Sequence, residues 1–495
     1  MPSTRTAALY VRLLLAGALP VCLAAGCGEE KTPTDDTGEV DTTPEDTTPE
    51  DTGGEDTGGE DTGGEDSPCE LPDGVLPVED ADATIVGDAK EEFGWPATAV
   101  GDVNGDGYDD IGVSYYWSRT NGIWLGPLAG RYDDDAPDIT VENDAASAGD
   151  LDADGFDDLV VASRSSEARG AFLIYGPLSA GGTYDLSDSD ARITFNFSSW
   201  DPWVCVSPFG QAEEGFHGVI LGVQDDSTAG DRAGAVGGFV GAVGGDTPLT
   251  DASFLLVGEG ELDWAGHAVA GLGDTDGDGI ADLAIGAFST GTPDAVHPGA
   301  AYVVSGPVSG TLSLADADAK LSGEVEDAHA GDYISSAGDI DGDGLADLMV
   351  YARTYSGYEE VLPGIAYAVL GPMRGVHSLA EAEIQVRGDA DWEGLGFQDT
   401  RSGDYDGSGK PDLLLGYVLD PDCYRAALLY LDPVPGVYVA EDADVTIASA
   451  GGIAGFHAGD VNRDGLDDLM IGSLVYGDDE QGALFLWYGR EDWNL

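Results

Sequence analysis

The strongest constraint on this chain is a nine-residue acidic loop that recurs in register. Its clearest copy is Asp274-Thr-Asp276-Gly-Asp278-Gly-Ile280-Ala-Asp282, followed at once by the apolar run Leu-Ala-Ile-Gly. Carboxylates at positions 1, 3, 5 and 9 can converge on one hard cation. Glycine at position 6 permits the sharp turn, and position 7 offers its backbone carbonyl, so its side chain is free to vary. Five more copies keep the spacing, the last residue named for each being position 9. They are Asp102, Asn104, Asp106, Tyr108 and Asp110; Asp150, Asp152, Asp154, Phe156 and Asp158; Asp339, Asp341, Asp343, Leu345 and Asp347; Asp404, Asp406, Ser408, Lys410 and Asp412; and Asp460, Asn462, Asp464, Leu466 and Asp468.

An all-oxygen donor set in a forgiving geometry points to Ca²⁺. The EF-hand begins the same way, but it needs a bidentate Glu at position 12 and flanking helices. Position 12 here is Val113, Val161, Ile285, Val350, Leu415 or Ile471, each continuing a strand. The EF-hand is therefore rejected. Surface turns without metal explain one such loop but poorly explain six in register. The expectation is about five to six structural Ca²⁺ sites, with the Ser408 loop the weakest because it loses a carboxylate.

The loops belong to a larger unit that fills residues 78–495. Each unit opens on an acid-alanine leader and an alternating strand, as in Asp80-Ala-Asp-Ala-Thr-Ile85 and Asp316-Ala-Asp-Ala-Lys-Leu321. The loop follows, and then a small-residue strand closed by Gly-Pro, as in Gly299-Ala-Ala-Tyr-Val-Val-Ser-Gly-Pro307. A copy due between Asp158 and Asp274 aligns Gly210, Ala212, Glu214 and Gly218 with the ligand positions. It keeps Gly215 and its strand but has lost its metal site. Seven copies of about four short strands each predict an all-β, seven-bladed β-propeller. The inner strands flank the loops, as at 97–100 and 111–114. A lone strand near residues 83–86 is predicted to complete the last blade and so remove an exposed edge.

These units resemble FG-GAP repeats, as in the propeller of integrin alpha subunits and in many bacterial surface proteins. The D-x-[DN]-x-D-G-x-x-D loops and the small-residue strands carry the resemblance. The "FG" half is visible at Phe93-Gly94 and weaker at Ala265-Gly266 and Leu395-Gly396. The resemblance implies ligand binding through loops on one face, with the calcium loops on the other. It maps no ligand-contact residue.

The formal net charge is -76. Such a surface repels nucleic acid and anionic headgroups and favours cations. Residues 1–26 read as a lipoprotein signal peptide: Arg5 and Arg12, an apolar run too short for a comfortable transmembrane span, then Leu23-Ala-Ala-Gly-Cys27. Cys27 is the predicted lipidation site, with plain secretion as the alternative. Residues 27–77 read as a disordered Asp/Glu/Thr/Gly-rich tether, with repeated Asp-Thr-Gly-Gly-Glu and almost nothing apolar to bury. One disulfide among Cys69, Cys205 and Cys423 is compatible with export, with the pairing open.

No catalytic constellation stands out. The six histidines, His217, His267, His297, His329, His377 and His457, form no zinc pattern, and neither G-x-S-x-G nor a P-loop is present. Trp95, Trp117, Trp200, Trp203, Trp264 and Trp392 either pack between blades or line a binding face. The reading is a surface-anchored, calcium-binding adhesion module with a monomeric head and a protein or glycan ligand. The alternatives are a polysaccharide hydrolase or lyase on a propeller scaffold, and a purely structural envelope lipoprotein.

Overall fold

The computed structural model describes Cys22–Ala24 and residues 71–493 apart from short internal stretches. Nearly all of the predicted signal segment and acidic run, Cys27 and Cys69 among them, lies outside the described residues, as does Cys423. Seven sheets, each with four antiparallel strands, follow one another along the chain, so the predicted seven-bladed propeller is what forms. No α-helix occurs among the described residues, only short 3₁₀ turns, and no helix there is long and apolar enough to cross a membrane.

Blade 1 shows the plan. Its strands are Phe93–Gly101, Asp110–Tyr115, Thr120–Trp124 and Ile139–Glu142, from inside to outside. The acidic loop joins the first two. Second strands are apolar on both faces, because each face meets a different blade. In blade 2 every residue of Asp158–Ser163 is buried. Seven apolar clusters result, each between two neighbouring blades. Between blades 2 and 3, for instance, Val160 and Leu173 pack with Val219 and Leu221.

The ring closes as predicted. Ala83–Val86 is the fourth strand of blade 7, antiparallel to Gln481–Trp487, with Ala83 opposite Leu486 and Val86 opposite Ala483. Each sheet also carries a fifth strand, which the four-strand reading lacked. It is parallel to the fourth and comes from the third-to-fourth connection of the next blade. Gly130–Asp133 covers blade 7, Thr183–Tyr184 covers blade 1, and Gly375–Ser378 covers blade 4. Blade 6 receives Leu76–Pro77. Leu71 and Val75 pack on the core between blades 5 and 6. The folded part therefore starts before residue 78, inside the stretch predicted to be tether. The acid-alanine leaders become 3₁₀ turns that aim the fourth strands, as at Val78–Asp80 and Leu314–Asp316.

Blade 3 departs from its predicted form. The inner strand Trp203–Glu213 runs through Gly210 and Ala212, and Glu213 pairs with Phe216. The copy there is a hairpin rather than an emptied nine-residue loop. Cys22–Ala24 adds to the inner edge of this sheet, with Cys22 in register with Cys205. Cys205 itself is a buried free thiol, not a member of a disulfide.

Candidate metal centres

All six loops fold by the same hydrogen bonds. Position 1 gathers the amides of the turn. Asp274 Oδ1 accepts from Gly277 and Asp278 at 2.7 and 3.1 Å, and Oδ2 from Gly279 at 2.8 Å. Asp102 does the same with Gly105, Asp106 and Gly107. Asp150, Asp339, Asp404 and Asp460 each accept the amide of their position-6 glycine at 2.8–3.1 Å. Position 3 accepts the amide of position 5, at 2.8–3.2 Å, in Asn104, Asp152, Asp276, Asp341, Asp406 and Asn462. Position 5 turns to the amide of position 7. Asp106, Asp154, Asp278, Asp343 and Asp464 accept from Tyr108, Phe156, Ile280, Leu345 and Leu466 at 2.8–3.0 Å. Ser408 Oγ accepts the Lys410 amide at 3.2 Å.

Position 9 is the anchor. Asp110, Asp158, Asp282, Asp347, Asp412 and Asp468 are each 0% exposed. One oxygen accepts the amide of position 2, as in Ile340 to Asp347 at 2.9 Å. The other accepts the amide that ends the third strand: Gly126, Gly176, Gly306, Gly371, Asp432 or Gly489, at 2.7–2.9 Å. The closing glycine of the Gly-Pro motif is thus a partner of the loop. A Cβ at Gly126 would sit 2.6 Å from the Asp109 carbonyl oxygen. Burial drives these carboxyls upward, to about 7 for Asp110, Asp412 and Asp468 and about 6 for Asp158 and Asp347. Asp282 is raised by the same cause.

In four loops the carboxylates of positions 1, 3 and 9 bring oxygens within 4.8 Å of one another. These are Asp150, Asp152 and Asp158; Asp274, Asp276 and Asp282; Asp339, Asp341 and Asp347; and Asp404, Asp406 and Asp412. In blades 1 and 7 position 3 is Asn104 or Asn462, whose amide oxygen stands in for a carboxylate. Position 5 is outside these groups. The residues suit a hard divalent cation: oxygen donors only, converging anions, and a buried Asp404 Oδ1 that accepts no hydrogen bond. They would hold such a cation through positions 1, 3 and 9, and the ion would offset the repulsion among them.

The other end of the propeller carries a second constellation, which sequence reasoning did not find. It joins four connections around blades 3, 4 and 5. His267 is buried, its Nδ1 2.6 Å from Gln224 Oε1 and its Nε2 3.1 Å from Asp332 Oδ1. Its ring meets Phe288 at 4.4 Å, and Phe288 stacks on His329 and meets the edge of Trp264. Arg232 lies 5.8 Å over Trp264 and 3.8 Å from Asp225. Of the eight described non-glycine residues with positive φ, Arg232, Leu262, Trp264 and His329 are all here. Such strain gathers at functional sites. The residues come from separate loops with no common spacing; from the sequence Trp264 is marked as a surface aromatic, and His267 and His329 figure only among histidines that form no zinc pattern. The other five tryptophans named there have side chains outside the described residues.

Comparison with known proteins agrees with this architecture. Residues 94–125 match the family model of the FG-GAP repeat; they span most of blade 1 through its third strand. The chain is 29% identical to human (Homo sapiens) integrin alpha-7 over 218 residues, which is 43% of this chain and 18% of that one. It thus spans less than a fifth of that relative. A mannose phosphorylase from Leishmania mexicana, solved with a phosphate ion, overlaps 61% of this chain and 88% of its own at 15% identity. Its TM-score of 0.28 is too low to inform fold or activity. With seven sheets built on one plan and an FG-GAP repeat matched in the first, the chain is a seven-bladed β-propeller that carries an FG-GAP repeat in blade 1 and is similar over part of its length to an integrin alpha subunit.

Proposed function

We propose that this protein is a calcium-stabilised binding module of the cell surface, holding its metals at one end and its ligand at the other. The carrying observation is the separation of the two constellations. The acidic loops join first and second strands at one end, while the His267 cluster is built from connections at the opposite end. Half-buried aromatics beside carboxylates suit a protein or glycan ligand, since rings stack and acids accept hydroxyl or amide donors. The integrin relative supports binding rather than turnover. The test is a screen of glycans and peptides with and without Ca²⁺, repeated with Trp264→Ala. Binding lost in that variant while its melting temperature holds supports the reading. Binding that survives both chelation and Trp264→Ala contradicts it.

Anchorage is a separate part of the reading. Cys27 is diacylated, and the acidic run holds the propeller away from the membrane. Mass spectrometry of the mature N-terminus tests this. A mature chain beginning at an unmodified residue other than Cys27 contradicts it.

A further inference from the structure

The side chain at position 7 has a task that its free variation in the sequence conceals. At each junction between consecutive metal loops it reaches position 4 of the loop in the preceding blade. A Cβ added at Gly105 in blade 1 would lie 2.1 Å from Phe156 Cε1 of blade 2. At Gly277 it would lie 3.4 Å from Leu345 Cδ2, at Gly342 3.3 Å from Lys410 Cε, and at Gly407 2.8 Å from Leu466 Cδ2. Across the closure, the guanidinium of Arg463, position 4 in blade 7, lies 5.6 Å over the Tyr108 ring of blade 1. Position 4 is one of two left-handed residues in each loop, the other being the position-6 glycine, with φ from 62° to 85° at position 4 across the six. It sets the turn that lets positions 1, 3 and 9 converge.

A second tie runs from position 8 to position 1. The amides of Asp157, Ala346 and Asp467 donate to the carbonyls of Asp102, Asp274 and Asp404 at 3.1, 2.8 and 3.0 Å. The carboxylates of Asp109, Asp157 and Asp467 accept the amides of Asp460, Asp102 and Asp404 at 3.2, 2.8 and 2.8 Å. Pro411 has no amide to give, and there Lys410 Nζ donates to the Asp341 carbonyl at 3.1 Å instead. At the blade 4 to blade 3 junction there is no such loop to prop, because the inner strand of blade 3 continues through the corresponding place as Trp203–Glu213.

We propose that the metal loops are linked in series, blade 2 to 1 to 7 to 6 to 5 to 4, each loop except that of blade 2 held in its binding shape by the position-7 side chain of the next blade. The side chains of Phe156, Tyr108, Leu466, Lys410 and Leu345 are positioning groups for a neighbour's ion, whatever the backbone carbonyls of these residues do in their own loops. This rests on the calcium reading above. A prop that limits the empty loop's conformations raises affinity by preorganisation, and loss of such an outer support costs on the order of tenfold in metal affinity.

Equilibrium Ca²⁺ titration of the full chain tests it. Leu466→Ala weakens one site about tenfold without changing the number of ions bound. That effect disappears in an Asp404→Ala background, which removes the blade 6 site, and persists in Asp460→Ala, which removes the blade 7 site. The reverse pattern, or no change in either background, overturns the proposal. Leu345→Ala, with Asp274→Ala and Asp339→Ala as backgrounds, repeats the test at another junction should Leu466→Ala fail to fold. A wild-type chain that binds no Ca²⁺ overturns the calcium reading itself and the proposal with it; a wild type that binds normally while the cycle fails overturns the linkage alone.

Discussion

Asp282 shows how much one residue of the loop carries. Its side chain is fully buried and accepts the amides of Thr275 and Gly306 at 2.9 and 2.8 Å, together with the Thr275 hydroxyl. Asp282→Ala leaves these donors unpaired inside the blade, at a cost of about 2–5 kcal/mol. Urea unfolding in excess Ca²⁺ measures it, and a loss under about 0.5 kcal/mol, the level of an ordinary surface change, would show that the position is not an anchor. The same burial sets a pH dependence. The position-9 carboxyls titrate near 3.8 when exposed, and in the fold five of them rise to about 6 or 7. The native state therefore holds these protons more tightly, and the stability they contribute is present below about pH 4 and lost as pH climbs through about 7. In chelator the melting temperature falls across that window. In excess Ca²⁺ the fall is suppressed, because the ion takes the proton's place. A metal-free protein that grows steadily more stable from pH 4 to 7 would contradict this.

Strand Ala83–Val86 is the element on which the ring depends. It pairs with Gln481–Trp487 on one side and with Gly130–Asp133 on the other. Thr84→Pro removes an amide and stiffens the chain between two partners, costing about 3 kcal/mol or more. It also frees the edge of blade 7, so sedimentation should detect self-association; a monomer of unchanged stability would mean closure lies elsewhere. This strand was legible in the sequence, as were the six loops, because alternation and fixed acid spacing reflect local geometry. The fifth strands were not. Gly130–Asp133 and Gly375–Ser378 are mostly exposed, so no apolar rhythm marks them. Blade 3 misled for a related reason: Gly210 and Ala212 fit a loop with lost ligands as well as a strand, and only pairing decides. The His267 cluster was invisible because Gln224, Trp264, Phe288 and Asp332 meet only once blades 3, 4 and 5 stand side by side.

At the scale of the whole molecule, charge and ring architecture meet. A net charge of -76 opposes compaction, and six acid-rich loops concentrate part of it at one end. Ions bound there would relieve the repulsion and hold the hairpins of six blades, leaving blade 3 to stand on packing alone. Affinities on the order of 10⁻⁴–10⁻³ M suffice outside a cell, and each site held at about 100 times its dissociation constant adds about 2.7 kcal/mol. The most direct measurement is thermal unfolding of the full chain in excess chelator and then in rising Ca²⁺, with Mg²⁺ in parallel. The melting temperature should drop markedly on chelation, rise steadily with the logarithm of Ca²⁺ concentration, and respond far less to Mg²⁺, which demands stricter octahedral geometry. An identical melt in chelator and in saturating Ca²⁺ would contradict the account at its centre.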